Sequence, residues 1–410
     1  MKARYLTIAR IVCAVLSLLL CVGSVTIGAG ATTLGDYSKE AERDSIPYYE
    51  FDYDYCPHEK VSGNGVVARY PDGETPGSFE AECARCGAMV QTQEIPALKF
   101  KSASLVLNDS LAINYKIDKS IIEAGAYTNP YVVFTFAEET ITVTDYTVRD
   151  GYYVFVYDNI APHRTNESVI ATPYATCHGA KVCAGKTEEY SVADYCYNQL
   201  GKAGDCAELK TLLVDLLNYG ATAQVYTKRN VENLANAYLT DEQKAWGTTT
   251  DRELVTVQDT EYILRDNTTV NWKGAGLSLQ DSVAIRFKID AQSVEGLYAK
   301  VVNANGEFII PAAEFVKTNG GYYVYFDDLS VANISSANYI TIYDQNGAVS
   351  NTLCYSAESY AYSMKAKGDT QEFIDLINAM IRYGDSAKAY VLSQNGEQPD
   401  LSDESWTKPY

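Results

Sequence analysis

Four residues in one short stretch have the types and spacing of metal ligands. CPHEKVSGNGVVARYPDGETPGSFEAECARCG supplies Cys56-x-His58 and, after a loop, Cys83-x-x-Cys86. Two closely spaced donor pairs of thiolate and imidazole are the form of a structural zinc site. Such donors suit a tetrahedral, borderline-soft ion. Four protein ligands leave no open position, so the chemistry expected here is structural rather than catalytic. A segment of about 40 residues buries little core, and a metal would supply the stability it lacks. Oxidation is the alternative, with a Cys83–Cys86 disulfide and Cys56 free.

Four more cysteines, Cys177, Cys183, Cys196 and Cys206, lie near the middle of the chain. Cys177 and Cys183 flank HGAKV, which reads as a hairpin turn, so they could bridge adjacent strands. Cys196 and Cys206 fall on two consecutive helices. The internal repeat described below aligns them with Ala361 and Thr370. Both are replaced together, as expected of partners in a Cys196–Cys206 disulfide. These pairings suit a secreted protein, and four cysteines allow three connectivities. Cys354 is then left over and reads as a buried thiol.

Little else points to catalysis. The three histidines are His58, His163 and His178. His58 belongs to the metal set, and the other two lie in loop-like contexts with no nucleophile motif beside them. There is no GxSxG, HExxH or Walker loop. Carboxylates are abundant, but no spacing marks a paired-acid glycosidase. The reading is a protein that is not an enzyme, with a secreted hydrolase the least favoured option.

The elements that must position these residues are duplicated. LLVDLLNYGATAQVY (212–226) matches LINAMIRYGDSAKAY (376–390) position by position, and both are helical in apolar spacing. Gly220 and Gly384 fall in the same place in each. A glycine inside a helix costs about 1 kcal/mol relative to alanine, so each is expected to admit a close neighbour. LKFKSASLVLNDSLAINYKID (98–118) matches VNWKGAGLSLQDSVAIRFKID (270–290), GYYVFVYD (151–158) matches GYYVYFDD (321–328), and YSVADY (190–195) matches YSAESY (355–360). Finding the repeat decides the domain count. Within each copy, strand-like runs come first and two helices last, which predicts an α+β fold of sheets or a sandwich with C-terminal helices. Asn108-Asp109 predicts a hairpin turn, and Thr240 with Gln243 a capping box. RELVTVQDTEYIL is strand-like and is assigned to the second copy.

Strand alternation then offers a candidate binding surface. Tyr153, Phe155 and Tyr157 share one face, and Tyr323 and Tyr325 occupy the matching positions of the second copy. The competing role for these rings is to lie under the helices. The 34 tyrosines against 11 phenylalanines favour strands with one wet face, a composition that sugar binding also uses.

Lys2, Arg4 and Arg10 precede the apolar run IVCAVLSLLLCV and a plausible Ala29-Gly30-Ala31 cleavage site. This is the pattern of a secretory signal peptide, and no other long apolar run predicts a membrane span in the mature chain. A net charge of −20 argues against nucleic acid or an anionic membrane as partner. The expected organisation is a signal peptide (1–31), an acidic linker (32–55), the cysteine-bearing segment (56–97), repeat modules at 98–250 and 251–397, and a C-terminal tail (398–410).

ECARCGAMVQTQEIPAL resembles short zinc-ribbon-like modules in secreted proteins of anaerobic Gram-positive (Firmicutes) bacteria. LLVDLLNYGATAQ and LANAYLTDEQKAWG look like a module recurring in the same class. The resemblance covers roughly residues 56–392. It implies a multi-modular secreted or surface protein with structural zinc and carries no defined activity. The function expected is that of a secreted or cell-surface binding protein for an extracellular glycan or host protein. A structural spacer of the cell envelope is the alternative.

Overall fold

The computed structural model describes residues 56–58, 61–107, 111–254, 263–279, 283–394 and 402–403. The expected signal peptide, the acidic linker, the Asn108-Asp109 turn and most of the C-terminal tail lie outside the described residues. The chain divides into two compact units, Met1–Gly65 with Ala81–Val90, and Val66–Glu80 with Gln91–Tyr410. Strands β1 (Val61–Arg69), β2 (Gly77–Cys83) and β3 (Met89–Ile95) pair in that order.

The first repeat runs through β4 (Ser102–Leu107), β5 (Leu111–Asp118), a short helix α1 (Lys119–Ala124), β6 (Tyr127–Phe136), β7 (Glu139–Val143), β8 (Thr147–Arg149) and β9 (Tyr152–Ile160). A 3-10 turn (Pro162–Arg164) leads to β10 (Val169–Cys177), β11 (Lys181–Ala184) and β12 (Glu188–Tyr190). Helices α2 (Val192–Lys202), α3 (Ala207–Thr227) and α4 (Asp241–Lys244) follow. The second repeat has β13 (Asn271–Leu279), β14 (Val283–Asp290), β15 (Tyr298–Asn303), β16 (Gly306–Pro311), β17 (Val316–Thr318) and β18 (Gly321–Phe326). A 3-10 turn (Val331–Asn333), β19 (Asn338–Asp344), β20 (Gly347–Ala348), β21 (Leu353–Tyr355), α5 (Ala357–Lys367) and α6 (Gln371–Ser393) complete it, and β22 (Ser402–Asp403) comes last.

The fold is α+β, and its two groups of sheets are copies of one topology. The order β4-β5-β9-β8 recurs as β13-β14-β18-β17, and β11-β10-β6-β7 recurs as β20-β19-β15-β16. The pairings are antiparallel, so alternate residues turn to opposite faces. Ile113, Tyr115 and Ile117 of β5 are buried, as are Ile285, Phe287 and Ile289 of β14. Rings from the two sheets of each repeat meet over these positions. Tyr115 lies 5.3 Å from Phe134, and Phe308 lies 5.2 Å from Phe326. β22 adds to the free edge of β4. Residues 66–80 and 91–97, expected in the cysteine-bearing segment, belong to the second unit. There Glu74 pairs with Lys186 at 2.8 Å, and the Phe79 ring packs tilted against His178 with centroids 5.2 Å apart.

The helices start where polar side chains supply the missing hydrogen bonds of the first turn. Ser191 and Asp194 form a reciprocal capping box on α2, Ser356 caps α5, and Thr370 caps α6. The expected capping box of Thr240 and Gln243 opens α4. Ile263 bridges to Thr352, which places that end of RELVTVQDTEYIL with the second repeat; residues 255–262 lie outside the described set.

The helix glycines are contact points. In α3, a Cβ on Gly220 would lie 2.9 Å from the Thr165 Cβ and 3.1 Å from the Ala235 Cβ. Thr165 ends the 3-10 turn and is pinned there by its own hydroxyl, which donates to the Pro162 carbonyl at 2.7 Å. In α6, a Cβ on Gly384 would overlap Ile334, the residue ending the equivalent turn, and would stand 3.3 Å from the Val331 carbonyl. Ile334 is β-branched and has few rotamers in which to retreat. Gly220→Ala and Gly384→Ala are therefore expected to destabilise by about 1–3 kcal/mol despite alanine's better helix propensity, with Gly384→Ala the costlier. Chemical denaturation of each variant measures this, and a neutral result at either site would remove the close-packing explanation there.

Candidate metal centre

Cys56, His58, Cys83 and Cys86 converge. One ligand atom from each lies within 4.8 Å of all the others. The Cys56 and Cys83 sulfurs are 3.6 Å apart, and the Cys86 sulfur is 3.4 Å from His58 Nδ1. Donors at zinc-ligand lengths occupy tetrahedral corners roughly 3.5–3.8 Å apart, so these separations fit such an ion. The second pair sits on a tight turn. The Cys83 amide donates to the Ala88 carbonyl at 2.8 Å, and the Gly87 amide to the Cys83 carbonyl at 2.9 Å. Gly87 takes a positive φ of 74°, which glycine adopts without strain. Hydrogen bonds from His58 and from the amides of Arg85 and Cys86 bring the Cys83 thiol down to about 6. A thiolate at neutral pH is the form that ligates metal.

The other described cysteines are thiols in the structure. Cys177 and Cys183 share a face of β10 and β11 but stand diagonally: Cys183 faces Ala175, and Cys177 faces Lys181. Burial pushes Cys177 up to about 11, with the neighbouring Cys183 adding to the shift. Cys354 is buried on β21.

Cys196 and Cys206 are thiols in the structure. Cys196 is fully buried within α2, and Cys206 is the N-cap residue of α3. Their equivalents play separate parts in the second repeat: Ala361 is a buried core residue, and Thr370 is a helix cap. Peptide mapping under non-reducing conditions should find the two thiols free, and a Cys196–Cys206 cross-link would establish the expected disulfide.

The aromatic candidates separate into two sets. Ile113 pairs with Tyr157 across the first sheet, whereas its repeat equivalent Ile285 pairs with Phe326. The structural counterpart of Tyr153 is therefore Tyr322, not Tyr323. A β-bulge in β9 between the partners of Leu111 and Ile113 accompanies the one-residue difference, and such a slip turns every side chain to the other face. Phe155 is fully buried, Tyr157 packs on Phe134 and Phe136, and Tyr153 packs on Tyr146. Phe155 is a core residue, and Tyr153 and Tyr157 are half-buried against the core.

Tyr323 and Tyr325 point away from that core, half-buried, with ring centroids 6.0 Å apart. Arg286 and Lys288 of β14 each lie 5.6 Å from the centroid of Tyr323. Sequence reading passed over these two cations, although their alternation with Ile285, Phe287 and Ile289 marks them as the outer face. It also passed over Arg252, which binds both Glu358 and Asp385 and reaches Asp385 at 2.6 Å. His163 lies in the first 3-10 turn and His178 in the β10–β11 turn, apart from each other. Among the described residues, no helix is long and apolar enough to cross a membrane. The chain matches no protein-family model and no curated protein.

Proposed function

We propose that the chain is an extracellular, non-catalytic binding protein, built of two tandem sandwich-like modules with a zinc-stapled N-terminal segment. The observation that carries this reading is the outer face of β14 and β18. There Tyr323 and Tyr325 lie outside the core, and Arg286 and Lys288 flank Tyr323. Rings of this kind offer an apolar body and a polar tip to a sugar or protein surface. The adjacent cations favour a ligand bearing carboxylate or sulfate groups, which makes an acidic extracellular glycan the first choice and a host protein the second. The acidic chain as a whole disfavours nucleic acid. The likeness to zinc-bearing secreted bacterial modules supports the same setting. A cell-envelope spacer would leave this face without a ligand.

Screening the purified protein on a glycan and host-protein array tests the reading. Tyr323→Ala and Tyr325→Ala should each weaken binding by about 1–2 kcal/mol without lowering Tm. Tyr153→Ala should instead lower stability and leave ligand affinity unchanged. Absence of binding to every acidic glycan and envelope fraction would favour the spacer, and turnover of a bound glycan would establish an enzyme.

Zinc is proposed as a structural ion held by Cys56, His58, Cys83 and Cys86, where it contributes folding energy and no reactive position. Protein purified without chelator should contain one zinc per chain, and Cys83→Ser should lose it. A metal-free preparation with a mapped Cys83–Cys86 disulfide would overturn the assignment.

A further inference from the structure

The two repeats differ in what covers the glycine of the last helix. In the first repeat the chain leaving α3 turns back over it. Gln224 is fully buried there and holds the returning segment by its backbone. Its Nε2 donates to the carbonyls of Asn230 and Asn233 at 3.3 and 3.0 Å, and its Oε1 accepts from the Ala235 amide at 2.7 Å. Asn166 Nδ2 also donates to the Asn233 carbonyl. The Tyr197 hydroxyl donates to the Ala235 carbonyl at 3.0 Å and accepts from the Tyr238 amide at 3.1 Å. Ala235 is buried beside Gly220. These hydrogen bonds read the path of a peptide backbone, and the single buried methyl sets its register.

In the second repeat no described residue covers the corresponding place. Gly384 stands for Gly220, Lys388 for Gln224, Ser335 for Asn166, and Tyr362 for Tyr197. A cavity of about 400 Å³ lies there, lined by Ser335, Glu358, Gly384, Asp385 and Lys388, with Arg252 on one wall. That volume falls in the range of ligand-binding clefts. Tyr362 is 47% exposed where Tyr197 is 7% exposed, which records the missing cover. After α6, the next described residues, Ser402 and Asp403, are paired with β4 in the first repeat.

We propose that this cavity is a docking groove for an acidic peptide of another protein, which turns over Gly384 and is held by its backbone as Asn230–Tyr238, a run of turns, are held on the first repeat. The small residue of that peptide sits over Gly384, in the place of Ala235. The acidic preference comes from Lys388. Gln224 can donate and accept, whereas an ammonium only donates. The Arg252 charge is taken by Glu358 and Asp385, so among the described residues that line the groove the cation left for the ligand is Lys388. A peptide carboxylate near the position of Asn233 meets that charge. The groove's lining shares no residue with the Tyr323 face, so the two proposals stand or fall separately.

The probe is a fluorescent peptide with blocked ends and the sequence of residues 229–239, RNVENLANAYL, beside a second form carrying aspartate at the position of Asn233. Anisotropy titration against the full chain should show saturable binding, tighter for the aspartate form by about 3-fold, as a partly exposed charge pair gives. Lys388→Gln should abolish that preference, and Ser335→Trp should abolish binding, both at unchanged Tm. Lys388→Glu, a surface change, should reverse the preference and remains informative if Ser335→Trp fails to fold. Tyr323→Ala should have no effect on either peptide. Cross-linking from a photoreactive group at the Ala235 position should label residues 332–336 or 384–388. Failure of both peptides to saturate, binding indifferent to Lys388 and Ser335, or labelling confined to the first repeat would overturn the proposal.

Discussion

The structure depends on the approach of a 3-10 turn to a glycine in the last long helix, made once in each repeat. The turn connects a strand of one sheet to a strand of the other: β9 to β10, and β18 to β19. Docking it against Gly220 or Gly384 therefore fastens the helix to a connection shared by both sheets. A side chain at the glycine would push the helix off the turn, and with it the apolar stripe that closes the core. The cost of glycine in a helix interior, about 1 kcal/mol, is small against the burial of residues such as Leu213, Leu216 and Leu217.

The same helices join the repeats. Tyr219 stacks on Tyr383 at 5.8 Å, and Tyr226 meets Phe373 at 5.3 Å, so α3 and α6 lie side by side with opposed directions. This explains the composition of LLVDLLNYGATAQVY. A helix covered by its own sheets on one side and by a second helix on the other has little solvated face to show in its periodicity. Asp215 and Gln224 are the buried polar exceptions. Asp215 accepts from the Thr248 amide at 2.8 Å and from the Thr248 hydroxyl at 2.7 Å, and its carboxyl is raised by burial. The segment between the repeats is thereby tied to the helix that ends the first one.

Much of this was legible because duplication supplies its own alignment. Helix starts, the α+β order and the glycine contacts follow from residue types that recur at matching places. The β9 register did not follow. GYYVFVYD and GYYVYFDD align without a gap, yet the partner strand and a bulge decide which residue faces the core, and neither is written in those eight residues. Joint replacement of Cys196 and Cys206 does not by itself mark a contact, because their equivalents are a buried core residue, Ala361, and a helix cap, Thr370. The four metal-ligand candidates were readable because their spacing is local. Arg252 was not, because its partners Glu358 and Asp385 are more than a hundred residues away.

The copies agree where the fold requires agreement and diverge where each meets its surroundings. Ile113, Tyr115 and Ile117 keep apolar equivalents, and the helix glycine is retained. Gln224 does not keep its equivalent. Its amide is matched on three backbone groups of the covering segment, and a buried amide must find such partners or lose stability. Without that segment a glutamine at this site would gain nothing from burial, whereas a lysine can keep its ammonium in water. The change from Gln224 to Lys388 therefore follows the loss of the cover. The outer strand faces diverge in the same manner. Asn114 and Lys116 stand where the second repeat has Arg286 and Lys288, and the slip in β9 sets Val154 and Val156 opposite them in place of Tyr323 and Tyr325. Asn114 and Val154 are buried, so one backbone plan covers this face in the first repeat and leaves it aromatic and cationic in the second, which also carries the cleft at Gly384.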